Sequence, residues 1–293
     1  MEVQYAPRKL DLYNHFEDRP KPRECKSIPL IFTDVARLMS SLSLRCWTST
    51  SLGVLLLLGP LLPAQAQSAS DDLDAVRVRL HHQSDIAQAK LSVEDGPLAV
   101  HLPDSGSPVM RLQSGETTTV GVRQNDVYLR RGPRGLYATN LTVRPSGGSA
   151  RWTLSFENHE DRTYTGELYL APAPKIKSAL LMVNEVPLED YVASVVAGEY
   201  GLGDEEGTKA MAVVARTYGL FASAKFGGAY DQADGTASQV YEGATAATDQ
   251  SRRATEATTG EVLTYNGNLI QAVYFSSSGG HTANNEDVWK ADK

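Results

Sequence analysis

Residues 183–199 read VNEVPLEDYVASVVAGE, and the periodicity of the sequence changes within this stretch. Before it, apolar and polar residues alternate, as in β-strands that bury one face. After it begins, apolar residues recur at steps of three and four, which places Leu188, Tyr191, Val192 and Val195 on a single helical face. Glu199 continues this face. The change of period predicts an α+β fold, with a small β-rich N-terminal unit followed by a mixed core of helices and a β-hairpin.

The β-rich unit is predicted over residues 67–183, because short alternating segments are separated there by turn-forming residues. Trp152 and Phe156 fall on alternating positions of one segment and are expected in the core. The predicted strands include 75–80, 98–102, 151–156, 163–170 and 179–183.

The helical and hairpin core is predicted over residues 184–293. Pro187 suits the first position of its first helix, which runs to a glycine-rich turn. Asp204 is a plausible N-cap for the second helix, and Asn266-Gly267 is a strong signal for a two-residue hairpin turn. The later predicted elements are helices at 205–225 and 248–259 and paired strands at 261–265 and 268–275.

The N-terminal part of the chain predicts export. Arg45 precedes an apolar run, residues 52–62, that is too short to span a bilayer and is followed by small residues around Ala66. This order predicts a signal peptide at residues 39–66, and a buried core helix is the alternative. Because signal peptides begin close to the initiator, residues 1–38 are interpreted as a non-native extension.

Cleavage after Ala66 would leave an acidic chain without cysteine, since Cys25 and Cys46 both precede that point. The remainder carries 20 Lys and Arg against 29 Asp and Glu, a net charge of −9, which argues against nucleic-acid binding. We expect no disulfide and no stable membrane anchor after cleavage, and a location in the periplasm, the cell wall or outside the cell.

Glu199 is the principal candidate for chemistry. It continues an apolar helical face but stands where the helix meets glycines, and a carboxyl group partly withdrawn from water there would suit acid/base catalysis. A solvated helix-terminal residue is the alternative. Lys209 and Arg216 lie seven residues apart on the next helix and could hold a carboxylate, although in isolation an ordinary solvated helix face explains the pair better.

Five blocks of sequence resemble the sporulation stage II protein D family (SpoIID/LytB, the latter called an amidase enhancer). The first block is the stretch quoted above, and the others follow in order over about 110 residues: KAMAVVARTY (209–218), SQVYEG (238–243), TGEVLTYNG (259–267) and YFSSSGGHT (274–282) with NEDVW (285–289).

The resemblance implies a lytic transglycosylase that acts on peptide-free peptidoglycan glycan and forms 1,6-anhydro-N-acetylmuramic acid ends. Glu199 matches the catalytic acid of the family. The implied substrate-binding residues are Lys209, Arg216, Gln239, Tyr274 and Ser277. The implied partners are glycan strands and a cell-wall amidase.

Two departures from the family pattern matter. The zinc-binding family members carry cysteine and histidine around residues 230–241 and in the loop at Ser278. Here residues 231–237 contain neither, and Ser278 replaces the loop cysteine, so no metal and no cofactor are expected. Family members also continue beyond the last block, so the core is expected to be truncated at the C-terminus. Two other functions stay open: a non-catalytic glycan-binding activator of an amidase, and a structural envelope adaptor.

Overall fold

The computed structural model describes residues 2–5, 75–176, 178–221, 226, 228–277 and 279–283. The predicted signal peptide lies outside these residues, as does nearly all of the predicted extension 1–38. None of the helices in the described part of the chain has the length and apolar character needed to cross a membrane.

The fold is α+β, which confirms the predicted class. The strands are β1 (Glu2–Tyr5), β2 (Ala75–Arg79), β3 (Gln88–Asp95), β4 (Leu98–His101), β5 (Met110–Leu112), β6 (Thr117–Arg123), β7 (Asp126–Arg131), β8 (Arg134–Ala138), β9 (Leu141–Pro145), β10 (Arg151–Ser155), β11 (Arg162–Thr165), β12 (Glu167–Pro172), β13 (Leu180–Pro187), β14 (Gln232–Ala233), β15 (Glu261–Tyr265) and β16 (Asn268–Leu269). The helices are α1 (Leu188–Glu199), α2 (Glu205–Leu220) and α3 (Asp249–Ala257), and a 3₁₀ turn lies at Gly243–Thr245.

Two large sheets contain most of the strands. The six-stranded sheet has the order β11-β10-β3-β6-β7-β8, and the seven-stranded sheet has the order β14-β2-β13-β12-β9-β4-β5. Their inner faces contribute to one hydrophobic core, in which Leu91 and Leu129 of the first sheet join Val100 and Leu168 of the second. Trp152 belongs to this core with 1% of its surface exposed, as predicted.

The junction between the sheets corrects one predicted strand. The expected single strand at 163–170 is divided at Gly166, whose φ is +78°, into β11 in one sheet and β12 in the other. A Cβ at this position would lie 2.1 Å from the carbonyl oxygen of Glu185. The chain therefore needs glycine here, both for the backbone angle and for the close approach to β13.

Strand β13 leads directly into the helical layer. Pro187 is the N-cap of α1 rather than its first residue, and Glu189 and Asp190 lie in the first turn, near the positive end of the helix dipole. Helix α1 packs against α2 and α3. The side chains of Val192 and Val195 reach the core that the two sheets share.

Helix α2 begins as predicted and ends earlier. Asp204 is the N-cap, and its side chain accepts a hydrogen bond from the backbone of Gly207. The predicted end at residue 225 is wrong, because the backbone turns to an extended conformation at Phe221. The amide of Gln232 donates to the carbonyls of Tyr218 and Gly219, at 3.4 and 3.5 Å, and so satisfies the end of the helix from a distant segment.

The C-terminal hairpin is partly as predicted. Asn266 and Gly267 both have positive φ, 51° and 76°, as a type I′ turn requires. The second strand, however, is only Asn268–Leu269, and the expected continuation to Phe275 is wrong. Beyond the strand, Ala272 packs with Val213 and Leu263, so the chain covers α2 instead of extending the sheet.

Candidate functional site

Glu199 is the last residue of α1, and its side chain is partly exposed. One carboxylate oxygen, Oε1, accepts a hydrogen bond of 2.7 Å from the backbone nitrogen of Val240. This is a normal length for a bond between an amide and a carboxylate. The carboxylate therefore has a defined orientation and stays accessible from solvent.

Gly198 explains how the chain at Val240 comes so close to the helix. A Cβ on Gly198 would lie 3.0 Å from a methyl carbon of Val240 and 3.2 Å from its carbonyl oxygen. A glycine inside a helix ordinarily costs about 1 kcal/mol relative to alanine. Here it makes room for the segment that holds the carboxylate.

Residues 239–242, which we call the anchored segment, are attached to α1 by more than this one bond. The Oε1 atom of Gln239 accepts from the hydroxyl of Tyr191 at 2.7 Å. The backbone nitrogen of Glu242 donates to Ser194 Oγ at 3.2 Å.

The anchored segment is also attached to β13. The hydroxyl of Tyr241 donates to the side-chain oxygen of Asn184 at 2.7 Å. Asn184 has no exposed surface, and its amide donates to the carbonyls of Thr165 and Glu167 on either side of the junction between the sheets. The position of the Glu199 carboxylate thus depends on contacts that extend into the β-rich part of the fold.

Tyr274 completes the surroundings of Glu199. Its hydroxyl accepts from the amide nitrogen of Gln239 at 3.2 Å. Burial raises the pKa of Tyr274; the hydrogen bond from Gln239 opposes this rise, and the charge and hydrogen-bond acceptance of the Glu199 carboxylate add to it. The hydroxyl therefore keeps its proton at neutral pH and is available as a donor to the carboxylate.

Two more tyrosines adjoin this group. Burial raises the pKa of Tyr191 well above its usual range, and the nearby Tyr274 and Tyr218 hydroxyls raise it further. Burial also raises the pKa of Tyr218, whose hydroxyl interacts with Ser238. Tyr191, Gln239, Tyr274 and Glu199 form a continuous polar connection from the buried face of α1 to its exposed end.

The structure brings three of the predicted site residues together, namely Glu199, Gln239 and Tyr274. Lys209 lies on the exposed part of α2, where its Nζ contacts Glu205 at 2.7 Å and Glu206 at 2.9 Å. These are neighbours on its own helix. Lys209 has no contact with the Glu199 group among the described residues.

Arg216 has a different environment from the one expected of a substrate-binding residue. Its side chain has no exposed surface, and it forms two hydrogen bonds with the Glu189 carboxylate, at 2.9 and 2.6 Å. It also donates to the carbonyls of Thr255 and Glu261. Arg216 therefore joins α1, α3 and β15 inside the protein and presents no atom to a ligand in this conformation.

Ser277 and His281 lie in an exposed loop after Tyr274. The Ser277 hydroxyl accepts from the backbone of Gly279 at 3.4 Å, within the same loop. Neither residue contacts the Glu199 group among the described residues. The last block of the resemblance, residues 285–289, lies outside the part that the structure describes.

The segment that corresponds to the zinc-binding region of some family members is engaged in other contacts. Asp231 forms an ion pair of 3.0 Å with Arg77 of β2. Asp234 contacts His82 at 3.0 Å. Within the described ranges, no group of three or more His, Cys, Asp or Glu residues is arranged to hold a metal ion.

Sequence reasoning missed two contributors to the site. Tyr191 was assigned only to an apolar helix face, yet its hydroxyl fixes Gln239. Val240 contributes through its backbone, which no residue pattern reveals. The signal that was available is the tyrosine itself, because a buried tyrosine hydroxyl requires a hydrogen-bonding partner.

Comparison with known proteins gives consistent matches. Residues 177–265 match the family described as Stage II sporulation protein (SpoIID). The chain is 32% identical over 191 residues to the amidase enhancer of Bacillus subtilis, covering 65% of this chain and 24% of that protein. It is 33% identical over 135 residues to stage II sporulation protein D of the same organism, covering 40% of this chain and 39% of that protein.

An uncharacterised protein of Brachyspira hyodysenteriae is 31% identical over 175 residues, covering 58% of this chain and 44% of that protein. The chain thus spans less than half the length of each of these relatives. No solved structure matched the chain. The matched segment, residues 177–265, contains α1, Glu199 and the anchored segment, and over this part the chain is similar to the SpoIID family.

Proposed function

We propose that this protein acts in the bacterial cell envelope, where it binds the glycan strands of peptidoglycan and cleaves them as a lytic transglycosylase. The observation that carries the proposal is the Glu199 carboxylate, partly exposed at the end of α1 and oriented by the backbone of Val240. A positioned carboxyl group that substrate can reach is what acid/base cleavage of a glycosidic bond requires.

In the proposed reaction Glu199 begins in its protonated form. It gives its proton to the oxygen that bridges N-acetylmuramic acid and N-acetylglucosamine, and the bond between that oxygen and muramic C1 breaks. The carboxylate then takes the proton of the muramic C6 hydroxyl while O6 bonds to C1, which closes a 1,6-anhydro ring. One carboxyl group suffices, whereas ordinary glycoside hydrolysis uses two.

Gln239 and Tyr274 support this chemistry by positioning. The Tyr274 hydroxyl, fixed by the Gln239 amide, can donate to the carboxylate when Glu199 acts as the base. Lys209 and Ser277 remain proposed substrate contacts, because Ser277 is exposed and Lys209 is partly exposed. Arg216 is fully buried, and we assign it to the interior of the fold instead.

Export is part of the proposal, since peptidoglycan lies outside the cytoplasmic membrane. Its support is the sequence pattern of residues 39–66, in which a basic residue, an apolar run and small residues follow one another. N-terminal sequencing of the protein recovered from the envelope tests it. A mature chain that starts directly after Ala66 is expected, and recovery of residues 39–66 on the mature protein would contradict it.

A second candidate function is activation of a cell-wall amidase without catalysis. The 32% identical relative named amidase enhancer favours it. In that case the same surface would bind glycan and bring it together with the amidase. Glu199 would serve only to hold the anchored segment.

The deciding experiment is digestion of peptide-free glycan strands, with mass spectrometry of the products. The unaltered protein should produce 1,6-anhydro ends, and Glu199→Gln should reduce their rate of formation at least about 100-fold. Glu256→Gln, an exposed glutamate on α3, is the matched control and should keep full activity.

Equal product from the unaltered protein and Glu199→Gln would remove Glu199 from catalysis. If neither protein forms anhydro ends while both stimulate a cell-wall amidase on intact peptidoglycan, the activator function replaces the enzymatic one.

A further inference from the structure

The outer face of the six-stranded sheet carries two adjacent tyrosines, of which Tyr137 is exposed and Tyr128 is partly exposed. Tyr128 on β7 and Tyr137 on β8 are directly opposite each other in the strand register, and their ring centroids are 6.0 Å apart. Tyr137 has 54% of its surface exposed. Such rings present an apolar face beside a polar hydroxyl, which suits a ligand that is itself partly apolar and partly polar.

Tyr128 lies flat on the sheet. A Cβ on Gly121, its neighbour on β6, would be 2.5 Å from the Cζ and Oη atoms of Tyr128, so the ring crosses that strand where glycine leaves room. Its hydroxyl then donates to Gln88 on β3 at 2.6 Å. One face of the Tyr128 ring is held against the sheet, and the opposite face of the ring is the one that is exposed.

A row of cationic and polar residues runs beside the two rings. Lys90, Thr119 and Arg130 are opposite one another across β3, β6 and β7. The side chains of Lys90 and Arg130 are exposed and have no ion-pair or hydrogen-bond partner among the described residues. Two unpaired cations on one face of a chain with net charge −7 favour an anionic ligand.

We propose that this face is a second saccharide-binding surface, the tyrosine platform, which holds an acidic amino-sugar polysaccharide of the peptidoglycan glycan type. Sugar rings lie with their C–H faces on Tyr128 and Tyr137, and the muramic carboxylates contact Lys90 and Arg130. The platform lies outside residues 177–265 and does not involve Glu199.

The surroundings favour a glycan over a protein on this face. A typical protein interface buries about 800 Å² on each partner around an apolar centre. The platform offers only two rings, in a face that is otherwise polar or charged. A narrow ligand with alternating apolar and polar edges matches it better.

The test measures the affinity for peptide-free glycan strands in a Glu199→Gln background, so that cleavage does not interfere. Tyr137→Ala is expected to weaken binding about three- to tenfold. Tyr137→Phe, which keeps the ring, should bind as the parent does. Tyr265→Ala, which removes another exposed tyrosine, should leave binding unchanged.

A second set of variants examines the charges. Lys90→Gln combined with Arg130→Gln should weaken binding to glycan strands but not to oligomers of N-acetylglucosamine, which lack carboxylates. Thermal unfolding of every variant verifies that the fold is intact.

Unchanged glycan affinity in both Tyr137→Ala and the charge variant overturns the platform, whether or not the unaltered protein cleaves glycan. If these variants lose binding to a cell-wall amidase but keep their glycan affinity, the face binds a protein, and this result also overturns the platform. Weakened glycan binding in a protein that forms no anhydro ends supports the platform and rejects the proposed catalysis.

Discussion

The backbone nitrogen of Val240 donates to the carboxylate of Glu199 at 2.7 Å, although 41 residues separate them in sequence. The orientation of the proposed catalytic group is therefore set by the anchored segment and not by helix α1 alone. Tyr274 approaches the same carboxylate from a third segment of the chain. Changes in any of these segments should affect cleavage without removing Glu199.

Tyr274→Phe should lower kcat for glycan cleavage about tenfold and leave KM nearly unchanged. The variant loses the hydroxyl beside the carboxylate and leaves the Gln239 amide without its acceptor, a change that costs about 1 kcal/mol of stability. Steady-state kinetics and urea unfolding measure the two effects. Tyr265→Phe, on the exposed end of β15, is the control with an unchanged rate. Full activity in Tyr274→Phe would show that its hydroxyl does not position Glu199.

Arg216→Met should destabilise the protein by about 3 kcal/mol or more, because the carbonyls of Thr255 and Glu261 lose a buried donor. Lys209→Met, on the exposed face of the same helix, should change stability by no more than about 0.5 kcal/mol. Urea unfolding measures both. If Arg216→Met kept its stability and lost glycan affinity, the residue would line the substrate site as its sequence position suggested.

Gly166→Ala should destabilise the protein by about 3 kcal/mol or more, since the new methyl group would meet the backbone of Glu185 at 2.1 Å. Gly115→Ala is the matched control, because Gly115 also has positive φ, +83°, but has open space around it. Its cost should be only the backbone strain of about 1 kcal/mol. If both variants lost the same free energy of unfolding, the contact between the new methyl group and Glu185 would add no cost, and the chain at Gly166 could move away from β13 freely.

His81 should make stability depend on pH. Burial lowers the pKa of His81 from 6.5 to about 4, while Asp234 opposes this shift and Arg162 and His159 add to it. The folded protein keeps His81 neutral where the unfolded chain protonates it, so the free energy of unfolding should fall as the pH decreases from about 6.5 to 4. Above pH 6.5 this contribution should be constant.

His81→Asn should reduce the slope of stability against pH in that window, because asparagine does not titrate and tolerates the φ of 49° at this position. Urea unfolding at a series of pH values measures the slope. An identical slope in the variant would assign the dependence to other groups.

Local signals in the sequence predicted the fold class and several element ends correctly. The N-cap of α2 at Asp204 and the Asn266-Gly267 turn each depend on side chains within a few residues. The ends of α2 and of the hairpin could not be predicted, because Gln232 and the packing of Ala272 determine them from distant positions.

The candidate site shows the same difference between features set by neighbouring residues and features set by distant ones. Glu199 stood out because its helix and the following glycines are adjacent in sequence. The burial of Arg216 depends on Glu189, 27 residues earlier, and a charged residue on an amphipathic helix looks the same in sequence whether or not such a partner exists. The contact of Tyr191 with Gln239 spans 48 residues and has no local signature.

Strand β2 lies between β13 and β14, and it begins about a hundred residues before the segment that matches the family. An excised fragment that started with the matched segment would leave two strands without their shared neighbour and Asp231 without its Arg77 partner. We therefore expect a portion used to test glycan cleavage to need residues from Ala75 onward.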